Sequence, residues 1–338
     1  MGIKNWNAGI IRPVPVAPAG PYQNGAATGV WTLDQVAYWQ KQGLWPVAGN
    51  ELLRGVFLSG NSSTPVNVID YINIATTGNA TSFGAAYVSA YGVSGLGSTT
   101  RGVYGGGLPS SAPTATMQYI EFATTGNATN FGNLTAAKYG TAACGSATRG
   151  LFAGGQNTSF TETSTIYYIT IATTGNSSAF GNLSVATGWR SGCSSPTRAV
   201  FSTNNQYVYV TTATTGNSTA FGYPLTSAPY GGAAVSSSTR GVFSLASNIF
   251  SNVLEYITIA TTGDTLDFGD LTAGAYFMSG CSSNIRGVFS LGSTTGYVNT
   301  NVLNYINIAS TGNAVSFGQL TDARDASGAA SNCSGGVQ

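Results

Sequence analysis

One glycine recurs on a fixed ruler. It stands in the phrase Thr-Thr-Gly-Asn, or a close variant, at Gly78, Gly126, Gly175, Gly216, Gly263 and Gly312. A tyrosine precedes each by seven residues (Tyr71, Tyr119, Tyr168, Tyr209, Tyr256, Tyr305), and a phenylalanine follows each by five (Phe83, Phe131, Phe180, Phe221, Phe268, Phe317). Upstream of every tyrosine comes an arginine: Arg54, Arg101, Arg149, Arg198, Arg240 and Arg286. These six are half of the 12 basic residues, so the positive charge of the chain belongs largely to the repeat. A period of this kind marks a supersecondary unit that cannot bury its apolar face alone and stacks on copies of itself.

Each unit of 41 to 49 residues reads as four short strands. In one copy these are a small-residue run (138–144), Arg149-Gly150-Leu151-Phe152-Ala153-Gly154, the alternating Tyr168-Ile169-Thr170-Ile171, and a strand carried by Phe180-Gly181-Asn182-Leu183. With 46 glycines and no long stretch of 3.6-residue periodicity in the repeats, a helical solenoid is excluded. Four strands per repeat, six times over, predict an all-β fold: a six-bladed β-propeller over 51–338. The first copy starts at Arg54 without a small-residue strand, whereas 325–333, after the last copy, has that strand's character. The expectation is that the C-terminal strand pairs beside the Arg54 strand and closes the ring, leaving no open edge.

The strand ending in Gly-Gly (Gly105-Gly106, Gly154-Gly155), the tyrosine strand and the Thr/Asn turn leading to a bulky aromatic resemble the kelch repeat over about 51–338. The Gly-Gly pair is absent from four copies, and phenylalanine stands where kelch repeats favour tryptophan.

From each ruler glycine to the next arginine the spacing is 23, 23, 23, 24 and 23 residues, but from arginine to tyrosine it is 17, 18, 19, 11, 16 and 19. Length variation therefore sits between the second and third strands. In an up-and-down blade those loops share one face, which makes 61–67, 108–114, 156–165, 246–252 and 293–300 the candidate recognition surface. Phe160, Phe250 and Tyr297 are its aromatics, able to stack on a sugar ring or anchor a protein contact, with Asn157 as a polar companion. Variation by itself is equally what cheap loop closure allows.

Other motifs have plain structural readings beside the chemical ones. The arginines either form an anion-binding ring or hydrogen-bond carbonyls of their own or the next blade. Asp264, Asp267 and Asp270 have calcium-like spacing, yet Asn127, Asn130 and Asn133 occupy the same positions of another copy, as turn-capping side chains would. The Asn-x-Ser/Thr sequons at Asn79, Asn127, Asn176 and Asn217 follow from the same turn. Cys144, Cys193, Cys281 and Cys333 share one slot, filled elsewhere by Leu96 and Val235; four free, buried thiols are expected. With no histidine there is no Ser-His-Asp or Cys-His pair, no paired carboxylates are apparent, and neither cofactor nor metal is expected; the chain reads as a non-enzyme. A net charge of +1 without a basic run argues against nucleic acid, and no apolar stretch is long enough for membrane insertion.

Residues 1–50 differ in kind. They hold Trp6, Trp31, Trp39 and Trp45 of the five tryptophans, and Pro13, Pro15, Pro18 and Pro21 favour an extended arm. Thr32-Leu33-Asp34-Gln35 is a capping box that opens a short helix over 33–42, stopped by Gly43 and Pro46. The arm either folds back on the propeller or docks on a partner, with the tryptophans as anchors. Its phrases Gly29-Val30-Trp31-Thr32-Leu33 and Gln42-Gly43-Leu44-Trp45-Pro46, followed by Tyr-Ile-x-Ile-Ala-Thr-Thr-Gly-Asn-Ala-Thr-x-Phe-Gly repeats, resemble virion and tail-fibre-like proteins of marine, especially cyanobacterial, tailed phages. The resemblance implies a structural virion protein on the particle's surface or tail, present in many copies. Its arm would bind other virion proteins and its propeller a host glycan or receptor. The alternative is a secreted or surface carbohydrate-binding propeller.

Overall fold

The computed structural model describes residues 53–225, 230–246 and 250–333, together with 32, 34, 35, 37 and 38. The chain divides into two units, Met1–Leu52 and Leu53–Gln338. In the first, Asp34, Gln35, Ala37 and Tyr38 are helical. Thr32 N–H donates to Gln35 Oε1 (2.9 Å) and Gln35 N–H to Thr32 Oγ1 (3.3 Å), the reciprocal pair of a capping box. Trp6, Trp31, Trp39, Trp45 and the proline run lie outside the described residues, as does most of 33–42.

The second unit is all-β among its described residues. Six antiparallel four-stranded sheets follow one another, each built from one repeat. In pairing order, sheet 1 is Gly328–Ser331, Arg54–Leu58, Val68–Asn73 and Thr81–Ala85. Sheet 2 is Ser94–Gly97, Arg101–Gly105, Thr116–Glu121 and Thr129–Asn133; sheet 3 is Ala142–Gly145, Arg149–Ala153, Thr163–Thr170 and Ser178–Thr187. Sheet 4 comprises Gly192–Ser194, Arg198–Ser202, Tyr207–Thr211 and Thr219–Gly222. Sheet 5 comprises Ala234–Ser236, Arg240–Ser244, Val253–Thr258 and Leu266–Asp270, and sheet 6 Ser279–Ser282, Arg286–Ser290, Val302–Asn307 and Val315–Gln319. The C-terminal strand lies beside the Arg54 strand in the register Gly55↔Ser331 to Leu58↔Gly328. The second strand of every sheet is buried almost throughout, because sheets pack on both of its faces.

The ruler residues explain why the sheets stack. In all six, the arginine Cζ lies 4.3–4.9 Å over its own sheet's tyrosine ring. That tyrosine in turn meets the phenylalanine edge-on at 5.9–6.2 Å. Held there, each guanidinium reaches the next sheet: Arg54 donates to Phe122 O, Arg101 to Ile171 O and Ala172 O, and Arg149 to Thr212 O and Ala213 O. Arg198 donates to Ile259 O and Ala260 O, Arg240 to Ile308 O and Ala309 O, and Arg286 to Ile74 O and Ala75 O of sheet 1. These bonds to carbonyls of the neighbouring sheet are the structural role of the arginine set.

The glycine turn forms a second seam. Each ruler N–H donates to the carbonyl of the preceding sheet's phenylalanine, as in Gly126 to Phe83 and Gly216 to Phe180 (both 2.9 Å), and Gly78 likewise reaches Phe317 of sheet 6. The following Asn Oδ1 accepts a backbone N–H of that same sheet, and Asp264 does so from Tyr223 N (2.9 Å). The glycine after each phenylalanine lies against the next ruler glycine's carbonyl, so closely that a Cβ at Gly84, Gly181 or Gly222 would overlap it.

Three boundaries differ from expectation. The third strand of sheet 3 runs Thr163–Thr170 rather than 168–171, so it takes in the end of the 156–165 loop. The first strand of sheet 3 begins at Ala142 rather than Lys138, because Gly140 takes φ 60° and turns the chain. The segment 293–300 is itself paired: Ser293–Thr294, Val298–Asn299 and Ala275–Tyr276 make a small three-stranded sheet. The four cysteines are free and buried. The Cys281 thiol occupies the space a Cβ on Gly55 would need, and the Cys193 thiol does the same at Gly241, so each packs into the adjacent sheet.

Candidate functional site at the variable face

The end of the sheets opposite the arginine turns carries the long loops and the linkers between repeats. In each linker one residue, fourteen or fifteen after the ruler glycine, has a left-handed backbone: Gly92 (φ 66°), Gly140 (60°), Trp189 (57°), Gly231 (70°), Phe277 (52°) and Ala326 (50°). Their main chains bond in succession. Gly140 N–H donates to Gly92 O, Trp189 to Gly140 O, Gly231 to Trp189 O, Met278 to Gly231 O, Ala326 to Phe277 O and Gly92 to Ala326 O, all at 2.7–2.9 Å. Beneath them is a cavity of about 100 Å³ whose wall includes Ser94, Thr141, Ser191, Ser279 and Ser327. Four of its hydroxyls bond in pairs: Thr141 Oγ1 donates to Ser94 Oγ (2.9 Å), and Ser279 Oγ and Ser327 Oγ are 2.9 Å apart.

Three of these linker positions are glycine, and two carry large aromatics where a left-handed conformation is costly. The absence of side chains at Gly92 and Gly140 makes room for the Trp189 indole, which a Cβ on either would approach to 2.8 Å. Trp189 thereby lines the cavity, 4.6 Å from Phe277 and 5.3 Å from Tyr139, centroid to centroid. Phe277 meets Tyr276 at 4.0 Å, and Tyr276 meets Tyr297 at 6.0 Å and Phe250 at 5.9 Å. On the other side Tyr139 meets Phe160 at 5.8 Å. The result is a continuous series of ring contacts from Phe160 in sheet 3, through Trp189 and Phe277 in the cavity wall, to Phe250 and Tyr297 between the strands of sheets 5 and 6.

The loop aromatics singled out in the sequence thus sit at the two ends of one band. Phe160 is 49% and Tyr297 63% exposed, whereas Trp189, Tyr139 and Tyr276 are buried along most of their area. Phe160, Phe250 and Tyr297 all have left-handed backbones as well (φ 57°, 53° and 59°). Asn157 has a different part from direct contact: its Oδ1 accepts Ser159 N–H (2.9 Å) and Thr161 N–H (3.1 Å), and its carbonyl accepts Phe160 N–H (2.9 Å). It fixes the loop that aims Phe160.

The charges beside the band are few. Arg190 Nε donates to Thr187 Oγ1 (2.9 Å) and Nη2 to Asn204 Oδ1 (2.7 Å), with its guanidinium over Tyr230 at 5.3 Å. Burial lowers its pKa, and the nearby Glu162 carboxylate acts the other way. Burial raises the pKa of Asp325, which accepts Ser293 Oγ at 2.6 Å. Burial also raises those of Tyr91, Tyr139, Tyr230 and Tyr276, so these phenols stay neutral. Among the described residues no group of three or more His, Cys, Asp or Glu converges to hold a metal.

The sequence reading missed Trp189, Tyr139, Tyr276 and Phe277. A signal for them existed, since Tyr91-Gly92, Tyr139-Gly140 and Tyr230-Gly231 hold a Tyr-Gly pair where the other copies read Gly188-Trp189, Tyr276-Phe277 and Asp325-Ala326. Comparison with family models finds no match to this chain, and comparison with curated proteins finds none either.

Proposed function

We propose that this protein is a structural virion component of a tailed phage, in which residues 51–338 form a closed, six-bladed, kelch-like propeller. The N-terminal arm attaches it to other virion proteins, and the propeller presents its variable face to the host surface. Three sets of contacts support the closed ring: the arginine bonds, the glycine seams and the linker hydrogen bonds each lead from sheet to sheet and return from the sixth to the first. The virion assignment is supported by the wording of the repeats and the tryptophan-rich arm.

The recognition role is carried by one observation, the aromatic band whose exposed ends are held in an unfavourable backbone conformation. A costly backbone conformation kept at large, partly exposed aromatics supports a role for them at this surface. Mass spectrometry of purified particles should detect the chain, and cross-linking should place residues 1–50 against a second virion protein. A chain absent from particles and monomeric in solution would point instead to a free surface lectin.

A further inference from the structure

We infer that the outer rim between sheets 4 and 5 is a docking site for the N-terminal arm of a second copy of this chain, with Tyr223, Leu225 and Leu266 as its apolar floor and Asp264 and Asp267 as its charge. This rests on the reading that residues 1–50 attach the protein to other virion proteins, and it names one such partner and the place it binds.

The repeat supplies its own control. At each seam the third residue after a ruler glycine lies beside the seventh and ninth after the preceding one. Here Thr265 N–H donates to Tyr223 O (3.0 Å), and Leu225 N–H donates to Thr265 Oγ1 (2.9 Å) and Glu255 Oε2 (3.0 Å). Between sheets 2 and 3 the three positions are Ser178, Asn133 and Thr135; between sheets 3 and 4 they are Thr219, Asn182 and Ser184. No other seam holds more than one large apolar side chain among the three, Tyr87 in the first and Val315 in the fifth. Only between sheets 4 and 5 are all three large and apolar, and they are 61% (Tyr223), 51% (Leu225) and 56% (Leu266) exposed. Since the other seams form without such a cluster, joining the sheets does not account for it.

The chemistry of the rim selects the occupant. Its main chain is already committed, because Phe268 O and Asp270 O accept Gly312 and Ala314 N–H (both 2.7 Å), so a partner engages by side chains rather than by adding a strand. Three side chains cover far less than the roughly 800 Å² per partner of a stable globular interface, which suits a short segment and not a folded face. Asp264 and Asp267 are exposed and form no ion pair among the described residues. The basic residues of the β unit are engaged elsewhere: the six arginines on tyrosine rings and neighbouring carbonyls, Arg324 on Asp70, Lys138 on hydroxyls and a carbonyl, and Arg190 on Thr187 and Asn204. The remaining three of the 12, Lys4, Arg12 and Lys41, all precede residue 51. Residues 3–12 hold Ile3, Trp6, Ile10 and Ile11 with Lys4 and Arg12 and no acid, which complements an apolar floor edged by carboxylates.

Sedimentation velocity of the full chain over a wide concentration range, at about 0.05 and 0.5 M salt, reads the association directly. The rim variant carries residue types that other seams use (Tyr223→Asn, Leu225→Thr and Leu266→Thr), and the arm variant carries Lys4→Gln, Trp6→Gln and Arg12→Gln. The expected result is self-association of the parent that weakens about tenfold or more in each variant and in the higher salt. Mixing the two variants should restore it, because one brings an intact arm and the other an intact rim, and the mixture should stop at one-to-one pairs. The rim variant should melt within about 2 °C of the parent.

A monomeric parent, association untouched by the rim variant, or no recovery on mixing overturns the docking site. A rim variant that melts far below the parent assigns the three side chains to the fold, and the site falls as well. If the parent is monomeric yet purified particles contain it with residues 1–50 cross-linked to a different protein, docking on a second copy falls while the virion reading stands. The expected pattern in a chain absent from particles keeps the docking site and removes the virion reading.

Discussion

The two ends of the sheets obey opposite rules. At the arginine end, every copy repeats the same residues because each side chain bonds into a neighbour: Arg198 stacks on Tyr209 and reaches Ile259 and Ala260 of the next sheet, and the other five behave alike. At the linker end the main chain makes the corresponding bonds from Gly92, Trp189 or Ala326, and so the side chain there varies, within the room that the Trp189 indole takes over Gly92 and Gly140. Where side chains join the sheets, identity is fixed; where the backbone joins them, one position holds Gly, Trp, Phe or Ala. Side chains at the linker end can therefore change without loosening the contacts between neighbouring sheets.

This contrast can be broken by substitution. The largest effect is expected from Gly181→Ala, whose Cβ would overlap the Gly216 carbonyl, at about 3 kcal/mol of lost stability in denaturant unfolding. Gly231→Ala at the other end, in a position that Ala326 already fills, should cost only about 1 kcal/mol. Equal costs at both ends would erase the distinction. Next comes Arg198→Ala, which removes a cation–π contact and leaves two carbonyls without their donor, for about 2 kcal/mol; Arg198→Lys should recover only part, lacking the planar fork.

A pH-dependent effect is expected at Lys138 in the linker layer. Its Nζ donates to Gly154 O at 3.1 Å and to Thr163 and Thr165 Oγ1, and burial lowers its pKa to about 8. The folded value lies below the unfolded one, near 10.4. The unfolded chain therefore takes up the proton first, and stability declines as pH falls from about 10.5 to about 8, then levels off. Unfolding curves across that range should show the slope in the parent and its absence in Lys138→Met. Last, Asp264→Asn restores the residue of the other copies and keeps the Oδ1 acceptor for Tyr223 N–H, so stability should stay within about 0.5 kcal/mol, with or without calcium.

How much of this was legible follows from the same contrast. The sheet count, the strand order and the placement of the C-terminal strand could be read because Arg, Tyr, Phe and Gly recur wherever they join sheets. Phe160, Phe250 and Tyr297 were visible as loop aromatics, but not that their rings meet Tyr139 and Tyr276, since Trp189 and Phe277 stand at linker positions where three other copies hold glycine. The buried cations were hidden for another reason. Lys138 and Arg324 fill one linker slot, yet Arg324 finds Asp70 at 2.9 Å, and the acceptors of Lys138 are hydroxyls and a carbonyl. Which partner awaits such a charge depends on strands far away in sequence.

Sheet 1 joins segments made at very different times. Arg54 N–H bonds to Asn332 Oδ1 across 278 residues, a span that takes a ribosome roughly 14–56 s at about 5–20 residues per second. Until then the Arg54–Leu58 strand has an unpaired edge in a nascent chain. The contact that completes this sheet is also among the most non-local in the molecule, which places it on the slow side of folding. Expression at lower temperature, or with a chaperone that shields strand edges, should accordingly raise the soluble yield of the full chain more than it does for a typical helical protein of this size.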